Sequence, residues 1–152
     1  MDFKNKRRGF TLIEMLIVIT IIALLASLIL VGMGGARAKT RDSRRIADLH
    51  NVMNALELYY AKFYDYPDDS NWDGLVAALT TGDIGVTRVP KDPLSPNKTY
   101  EYGVSGDNQD YVLKATLETE DHALEEDIDG SVYGLDCGSG GSDTDSFYCI
   151  RP

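Results

Sequence analysis

One carboxylate interrupts an otherwise uncharged apolar run near the start of the chain. Residues 10–33 read FTLIEMLIVITIIALLASLILVGM, and Glu14 is the single charged residue among them. In surroundings of low dielectric constant, a carboxylate is costly alone and is stabilised by a positive partner. Two interpretations stay open. Either Glu14 reaches water at a nearby membrane boundary, or it pairs with a cation inside an apolar assembly.

A second pair of reactive residues lies near the C-terminus, where Cys137 and Cys149 are the only cysteines of the chain. They lack the Cys-x-x-Cys spacing of redox motifs, and two cysteines without nearby histidines cannot complete a four-ligand zinc site. If this part of the chain is exported, a disulfide between them is predicted. Free thiols in a reducing environment are the alternative.

The segment 118–145 carries ten acidic residues. Within it, Asp127 and Asp129 flank a single isoleucine just before a glycine, and carboxylate oxygens are the ligands that calcium uses. The twelve-residue EF-hand loop with its terminal glutamate is missing. Calcium at Asp127 and Asp129 is therefore one interpretation. A solvated acidic surface that holds no cofactor is the other, and the sequence favours it.

Motifs for catalysis are missing from the sequence. His50 and His122 are the only histidines, and neither has a convincing nucleophile nearby in the sequence. The phosphate-binding loop, the dinucleotide-binding glycine pattern and the HExxH zinc motif are all absent. The sequence thus predicts a protein that is not an enzyme. A membrane-tethered extracytoplasmic enzyme or binding domain is the alternative from another class.

Charge is distributed unevenly along the 152 residues. Residues 1–45 carry a net charge of +6, whereas residues 46–152 carry -15. Direct binding of nucleic acid is not expected, because phosphate contacts require clustered lysine and arginine on the globular part. The basic residues instead flank the apolar run, as they do in membrane proteins.

Hydrophobic periodicity predicts a long N-terminal helix. Its apolar first part is longer than the apolar core of a secretory signal peptide. It reaches the ~20 residues that a membrane-crossing helix needs. Its second part carries an apolar stripe at spacings of three and four, which predicts packing against a sheet. The stripe consists of Ile46, Leu49, Met53, Leu56, Tyr60 and Phe63. The helix should end at Tyr66, because Pro67 disfavours helical backbone before it.

The remaining residues predict a small α+β head on this helix. A short helix is expected over 70–81, with Trp72, Leu75, Val76 and Leu79 on its apolar face. Alternating apolar residues predict antiparallel strands near 100–104 and 111–117, and further short strands near 131–135 and 146–150. The predicted fold class is therefore α+β, with the long helix packed on a small antiparallel sheet.

The segment Arg8-Gly9-Phe10-Thr11-Leu12-Ile13-Glu14 resembles the processing signature of type IV prepilins and type II secretion pseudopilins. The resemblance implies a pilin-like fold, cleavage between Gly9 and Phe10 by a prepilin peptidase, and N-methylation of Phe10 by the same enzyme. It also implies that Glu14 pairs with the N-terminal amine of a neighbouring subunit. Cleavage creates that amine on Phe10, and helical rise places Glu14 about 6 Å along the axis.

Further motifs are similar to those of the major pseudopilin subgroup of type II secretion. They are Tyr66-Pro67, the segment 89–93 (VPKDP) and the segment 111–118 (YVLKATLE). The last twenty residues depart from that subgroup, since they do not match its calcium-binding loop and look more like a disulfide loop of surface-fibre pilins. The expected function is thus a pseudopilus subunit. The alternative is a major or minor pilin of a surface pilus for motility, adhesion or DNA uptake.

The resemblance also implies an organisation, a location and partners. We expect a cleaved leader at 1–9, a transmembrane and filament-core helix at 10–33, an amphipathic helix half at 34–66, and a head with a C-terminal disulfide loop at 67–152. The subunit should cross the cytoplasmic membrane once, with its head outside, before entering an extracytoplasmic filament. Expected partners are other copies of the chain, the prepilin peptidase, an inner-membrane assembly platform and minor pilins or pseudopilins.

Overall fold

A computed structural model of the chain describes residues 10–138 and 146–152, with the backbone alone at residues 28–33. The elements in order are α1 (Leu12–Phe63), α2 (Trp72–Thr81), β1 (Glu101–Val104), β2 (Tyr111–Thr116), a 3₁₀ helix (His122–Leu124), β3 (Ser131–Val132), β4 (Leu135–Asp136) and β5 (Phe147–Ile150). The chain divides into two compact units, Met1–Arg37 and Ala38–Pro152. One long helix and a small antiparallel sheet confirm the predicted α+β, pilin-like fold.

The long helix α1 ends close to the predicted position. Tyr64 follows it with a φ of 62°, a left-handed conformation in which its N–H donates to the carbonyl of Tyr60 at 2.8 Å. Such a residue commonly closes a helix because it satisfies a free carbonyl of the last turn. Tyr66 then donates its N–H to the carbonyl of Asn108 at 2.9 Å, which fastens the chain to the turn between β1 and β2.

The main sheet has the strand order β1-β2-β5, and both pairs of strands are antiparallel. Tyr102 lies opposite Leu113 in the first pair, and Ala115 lies opposite Tyr148 in the second. Because β2 is the central strand, its first five residues are all buried. This burial requires a cover on both faces of the sheet.

One face of the sheet packs on the stripe of α1 and on α2. The sequence prediction is confirmed for most of this core, in which Leu49, Leu56, Leu75 and Leu79 are fully buried. Phe63 is the exception, since 43% of it stays exposed and it contacts the ring of Tyr59 instead. The buried residues of this core are Leu49, Val52, Leu56, Tyr66, Leu75, Leu79, Val89, Tyr100, Tyr102, Tyr111, Leu113, Ala115, Leu117 and Tyr148.

The other face of the sheet is covered by the C-terminal part of the chain. Val112 packs there with Cys137 and Cys149, and all three are fully buried. Lys114 also points to this face, where its Nζ lies 4.1 Å from the centre of the Phe147 ring and 3.1 Å from a Glu101 carboxylate oxygen. A second layer therefore encloses β2 from behind.

The prediction of one strand over 131–135 is wrong. The structure forms a two-stranded hairpin of β3 and β4, in which Ser131 lies opposite Asp136. The two residues between the strands, Tyr133 and Gly134, have φ values of 48° and 84°. Two consecutive positive φ angles are typical of the tight two-residue turn of hairpins, and a pattern of apolar residues does not show that turn.

Candidate assembly site

The first turn of α1 holds the residues that the sequence singled out. The Thr11 hydroxyl accepts a hydrogen bond from the N–H of Glu14 at 3.3 Å, and a Glu14 carboxylate oxygen accepts one from the N–H of Thr11 at 2.8 Å. The same oxygen accepts the Thr11 hydroxyl at 2.7 Å. This reciprocal arrangement is a capping box, which satisfies N–H groups that a helix start leaves free. Glu14 thus has a local partner within its own chain.

Phe10, the residue with the predicted new N-terminus, is 78% exposed just before this turn. Gly9, the other residue of the predicted cleavage site, lies outside the described residues. The structure therefore places Phe10 just before the exposed helix start and Glu14 in its first turn. The predictions of cleavage, methylation and pairing with another subunit stay predictions.

The first part of α1 presents a continuous apolar surface. Every side chain from Phe10 to Ser27 is exposed, including twelve large apolar ones. An apolar area of this extent is unusual on a soluble monomer and marks a surface that another apolar phase or protein covers. Within the part of the chain that the structure describes, helix length and hydropathy together do not reach what a membrane crossing requires.

A buried cluster of charges joins the second part of α1 to the head, within the unit Ala38–Pro152. Its centre is Arg45, whose side chain has no exposed surface. Its guanidinium donates to both carboxylate oxygens of Asp92 at 2.7 and 3.2 Å, to Asp42 at 2.6 Å and to Glu118 at 2.6 Å. We call Asp42, Arg45, Asp92 and Glu118 the arginine cluster.

Asp42 fastens the same helix to the chain that follows β2. Its carboxylate accepts the backbone N–H groups of Glu118 and Thr119 at 2.9 Å each, and the hydroxyl of Thr119 at 2.7 Å. Arg41, one residue earlier, donates to Glu118 from the partly exposed side at 2.8 Å. Buried charges are tolerated when hydrogen bonds satisfy them, and this network meets that condition.

Hydrogen bonding shifts the pKa values of three residues, Arg45, Asp92 and Glu118, toward their charged forms. The Arg41 hydrogen bond lowers the pKa of Glu118 from 4.5 to about 2, with Arg45 adding to it against the effect of burial. Burial by itself would raise the pKa of Asp92, but hydrogen bonds from Arg45 and from the N–H of Leu94 outweigh it and lower the pKa. The pKa of Arg45 is likewise raised despite its burial, because three carboxylates accept from it. Arg45, Asp92 and Glu118 are therefore ionised at neutral pH.

The two cysteines form a disulfide in the structure, with their Cα atoms 5.8 Å apart. Asp127 lies beside it and accepts the backbone N–H of Cys149 at 2.9 Å, while the N–H of Ile128 donates to the Cys149 carbonyl at 3.2 Å. The disulfide and these two bonds connect β5 to the segment 127–138. The C-terminal cover of the sheet is thus fixed covalently and by backbone contacts.

This geometry assigns Asp127 a structural contact, which the sequence did not predict. Asp129, the other residue of the predicted calcium pair, is exposed. Over the described ranges 10–138 and 146–152, no group of three or more histidine, cysteine, aspartate or glutamate residues is placed to hold a metal ion. The two interpretations of these residues, a calcium site and a solvated acidic surface, both stay untested.

The two histidines contact different residues. The His122 ring nitrogen Nδ1 lies 3.1 Å from Glu125 on an exposed surface, and His50 Nε2 lies 3.5 Å from the hydroxyl of Tyr148. Both histidine side chains lie at the surface, as expected for His50 from its position on the helix. Neither contact is the start of a nucleophile arrangement.

Sequence reasoning missed the arginine cluster. A local signal existed, since Asp42 and Arg45 are three residues apart and so lie on one face of a helix. Asp92 lies within the segment 89–93, which was noted only as a motif. Burial of Arg45 could not be read from the sequence, because arginine is mostly exposed in proteins.

Comparison with known proteins agrees with the N-terminal geometry. Residues 4–30 match the family model of the prokaryotic N-terminal methylation motif. The chain is 33% identical over 98 residues to the type II secretion system core protein G of Escherichia coli K12, which covers 59% of this chain and 68% of that protein. The core protein G of Aeromonas hydrophila is 32% identical over 59% of this chain and 69% of its own length.

A third relative extends the match. The core protein G of Vibrio cholerae O1 is 30% identical over 68% of this chain and 75% of its own length. No solved structure gives a significant match to the chain.

A long helix that starts with a methylation motif, exposes an apolar surface and carries a small α+β head defines the pilin-like class of proteins. Within that class, the chain belongs to the type II secretion system core protein G family.

Proposed function

We propose that this chain is a structural subunit of the pseudopilus of a type II protein secretion system. One observation carries the proposal. The methylation motif at residues 4–30 opens a helix whose side chains from Phe10 to Ser27 are all exposed, twelve of them large and apolar. An apolar surface of this kind is buried when copies of the helix pack together. The names of the relatives place such a chain in type II secretion.

Processing at Gly9 is the proposed first step toward the filament. Cleavage of the Gly9–Phe10 peptide bond removes the basic residues Lys4, Lys6, Arg7 and Arg8 and leaves an amine on Phe10, which is then methylated. Four positive charges beside an apolar surface would oppose close packing of helices, because burying unpaired charge is costly. The prepilin peptidase is the enzyme that we expect to perform both reactions.

Glu14 is the proposed recognition group for the new amine of a neighbouring subunit. The capping box occupies one carboxylate oxygen with the N–H and hydroxyl of Thr11. An ionised carboxylate has about four acceptor positions, so it can receive a further donor without losing these two. In apolar surroundings an amine with no partner would be strongly penalised. The pair therefore fixes the axial register between subunits.

Before assembly, the subunit is proposed to be anchored in the cytoplasmic membrane by residues 10–33, with its head outside. From there it enters an extracytoplasmic filament of identical chains, with minor pseudopilins and an inner-membrane assembly platform as partners. Its proposed work is structural and not enzymatic, and the similarity to secretion-system core proteins supports this proposal. No direct contact with nucleic acid is proposed, since residues 46–152 carry a net charge of -15.

Mass spectrometry of the chain isolated from its own cells tests the processing step. The expected product begins at Phe10 and carries one methyl group on its amine. A Gly9→Asp variant changes only the residue before the cleaved peptide bond. It should keep its leader and give no filament. An intact N-terminus on the parent chain would contradict the proposal and favour a simple membrane anchor.

Deletion of the gene for this chain tests whether the filament is a secretion pseudopilus or a surface pilus. Loss of protein secretion without loss of surface fibres is the expected result for a pseudopilus subunit. The disulfide of Cys137 and Cys149 supports a second candidate, a surface-pilus subunit, because it closes a C-terminal loop like those of surface-fibre pilins. Loss of surface fibres with unchanged secretion would favour that candidate.

A further inference from the structure

One asparagine of the head differs from the others in the residues that follow it. The chain has six asparagines, and only Asn97 has a serine or threonine two positions later, in the run Asn97-Lys98-Thr99. Asn-x-Ser/Thr, with any residue except proline in the middle, is the acceptor pattern for N-linked glycans on exported proteins. A pattern of three residues arises easily by chance, so the position of these residues in the structure decides whether it is meaningful.

The three residues lie on the surface of the head, between α2 and β1. Asn97 and Thr99 are exposed. The middle residue is directed inward, because the Lys98 amine donates to the carbonyls of Thr116 and Leu117, where β2 ends, at 3.2 and 3.1 Å. The two residues that an enzyme must recognise are therefore on the outside of a segment that its middle residue anchors to the sheet.

The turn that presents Asn97 has a defined backbone. The N–H groups of Ser95 and Asn97 donate to the carbonyls of Asp92 and Leu94 at 3.0 and 2.9 Å. Asp92 is held in turn by Arg45 of α1 at 2.7 Å. The turn is thus fixed to the folded head, and its outer side can be reached without disturbing the sheet.

The side chains of Asn97 and Thr99 have no partner in the fold. Within the part of the chain that the structure describes, neither the Asn97 amide nor the Thr99 hydroxyl forms a hydrogen bond with another protein group. Asn71 provides the contrast, since its side-chain oxygen caps α2 by accepting the N–H of Gly74 at 2.8 Å. Both groups that the acceptor pattern requires are therefore available to an enzyme.

We propose that Asn97 is an N-glycosylation site, modified outside the cytoplasmic membrane by an oligosaccharyl transferase of the producing cell. The donor is a lipid-pyrophosphate-linked oligosaccharide. Of the proposed function, this site uses only the location of the head outside the membrane. A glycan is bulky and hydrated, so the turn before β1 faces solvent in the assembled filament.

The reaction is a glycosyl transfer without oxidation or reduction. A bond forms between the Asn97 amide nitrogen and the anomeric carbon of the donor, while the anomeric carbon–oxygen bond breaks. The lipid pyrophosphate leaves with the electron pair of that bond, and the amide proton passes to a base of the transferase. An amide nitrogen is a weak nucleophile, because its lone pair is delocalised into the carbonyl, so the step requires an enzyme.

Mass spectrometry of the chain isolated from its own cells tests the site. The peptide that contains Asn97 should carry an added mass made up of whole sugar residues, and fragmentation should place that mass on Asn97. A peptide of unmodified mass, in a chain whose N-terminus has been processed to Phe10, overturns the site. A sugar mass located on Ser95 or Thr99 overturns it as well.

Substitutions separate an N-linked glycan from an O-linked one. Asn97→Gln and Thr99→Ala should each remove the added mass completely, because each destroys the acceptor pattern. Thr99→Ser keeps the hydroxyl and should keep the mass. Asn54→Gln, the same kind of change at an exposed asparagine outside the pattern, is the control and should leave the mass in place. An Asn97→Gln chain that retains the sugar mass contradicts the assignment.

The outcomes distinguish this site from the function itself. A processed N-terminus together with an unmodified Asn97 contradicts only the glycan. A glycan on Asn97 of a chain that still begins at Met1 supports the site and contradicts the proposed filament subunit. All of the variants should keep the circular dichroism spectrum of the parent, because the substituted side chains are exposed. Loss of the mass then reflects the acceptor pattern and not unfolding.

Discussion

Arg45 on the long helix and Asp92 in the loop before the sheet form a fully buried ion pair with two hydrogen bonds. The Arg45 side chain is 0% exposed and that of Asp92 is 1% exposed. The Asp92 carboxylate also accepts the N–H of Leu94 at 2.7 Å, so the loop itself is held in the conformation that meets the arginine. The pair thus joins a helix residue to a loop residue 47 positions later in the chain.

Replacement of Arg45 should destabilise the head strongly. Arg45→Met keeps an unbranched side chain but leaves Asp42 and Asp92 buried without their cation. Breaking a buried ion pair on one side costs about 3–5 kcal/mol. The free energy of unfolding of the full-length chain in detergent, measured by urea titration, checks this. Arg44→Met is the control, since the Arg44 side chain is 63% exposed and its long 3.7 Å contact with Asp48 should contribute less than about 1 kcal/mol. Equal effects of both variants would contradict the assigned role.

Acid should weaken the head over a defined range of pH. The pKa of Glu118 is about 2 in the folded chain against 4.5 for an ordinary glutamate, and the pKa of Asp92 is lowered too. A carboxyl whose pKa is lower in the folded state stabilises folding fully above its unfolded pKa. That stability is lost as the pH falls from about 4.5 toward 2.

Thermal unfolding between pH 7 and pH 2 measures this loss. The Glu118→Gln variant should be less stable than the parent at pH 7 and should lose less stability across the acid range. Glu120→Gln, two residues later and exposed, is the control and should follow the parent curve. Parallel curves for the parent and Glu118→Gln would show that this carboxylate does not carry the pH dependence.

Reduction of the disulfide should lower the stability of the head. A cross-link that closes about 13 residues contributes on the order of 3 kcal/mol in the loop-entropy description. Both cysteines are fully buried behind β2, so the loop that covers the sheet loses its covalent connection. Chemical unfolding with and without reductant gives the difference. The double variant Cys137→Ala/Cys149→Ala should be insensitive to reductant, and a parent chain that is equally insensitive would contradict the prediction.

The charge of Glu14 can be separated from its capping role by one substitution. Glu14→Gln keeps a side chain that serves in a capping box but removes the negative charge. If pairing with a neighbour's amine drives assembly, both Glu14→Gln and Glu14→Ala should stop filament formation. Filament yield from sheared cells is the measurement. Normal assembly of Glu14→Gln alongside failure of Glu14→Ala would show that the helix cap, and not the charge, is required.

Calcium should leave the melting temperature of the head unchanged. Asp127 already accepts the N–H of Cys149, which gives its carboxylate a structural contact. Titration of the metal-free, full-length chain with calcium chloride checks the expectation, with magnesium chloride as the comparison. A saturable rise in melting temperature that is lost in Asp129→Asn would establish a calcium site at Asp127 and Asp129.

The N-terminal site is predicted from the sequence alone, and its cleavage, methylation and pairing stay predictions. Gly9, Phe10 and Glu14 lie within six consecutive residues, and their spacing along a helix is fixed by the rise per residue. The apolar run and the later stripe are also local patterns, so the helix and its buried face followed from periodicity. The capping box was missed, although Thr11 and Glu14 have the spacing that it requires.

What the sequence by itself determined is therefore what neighbouring residues determine: the long helix, its apolar start, its N-terminal motif and the three strands of the main sheet. Tertiary structure alone decided that Arg45 is buried and that its partners are Asp92 and Glu118, which lie 47 and 73 residues away. It also decided that the hairpin of β3 and β4 and the disulfide close the second face of the sheet. The physical reason is that burial and ion pairing depend on which distant segments pack together, and the spacing of residues along the chain does not contain that information.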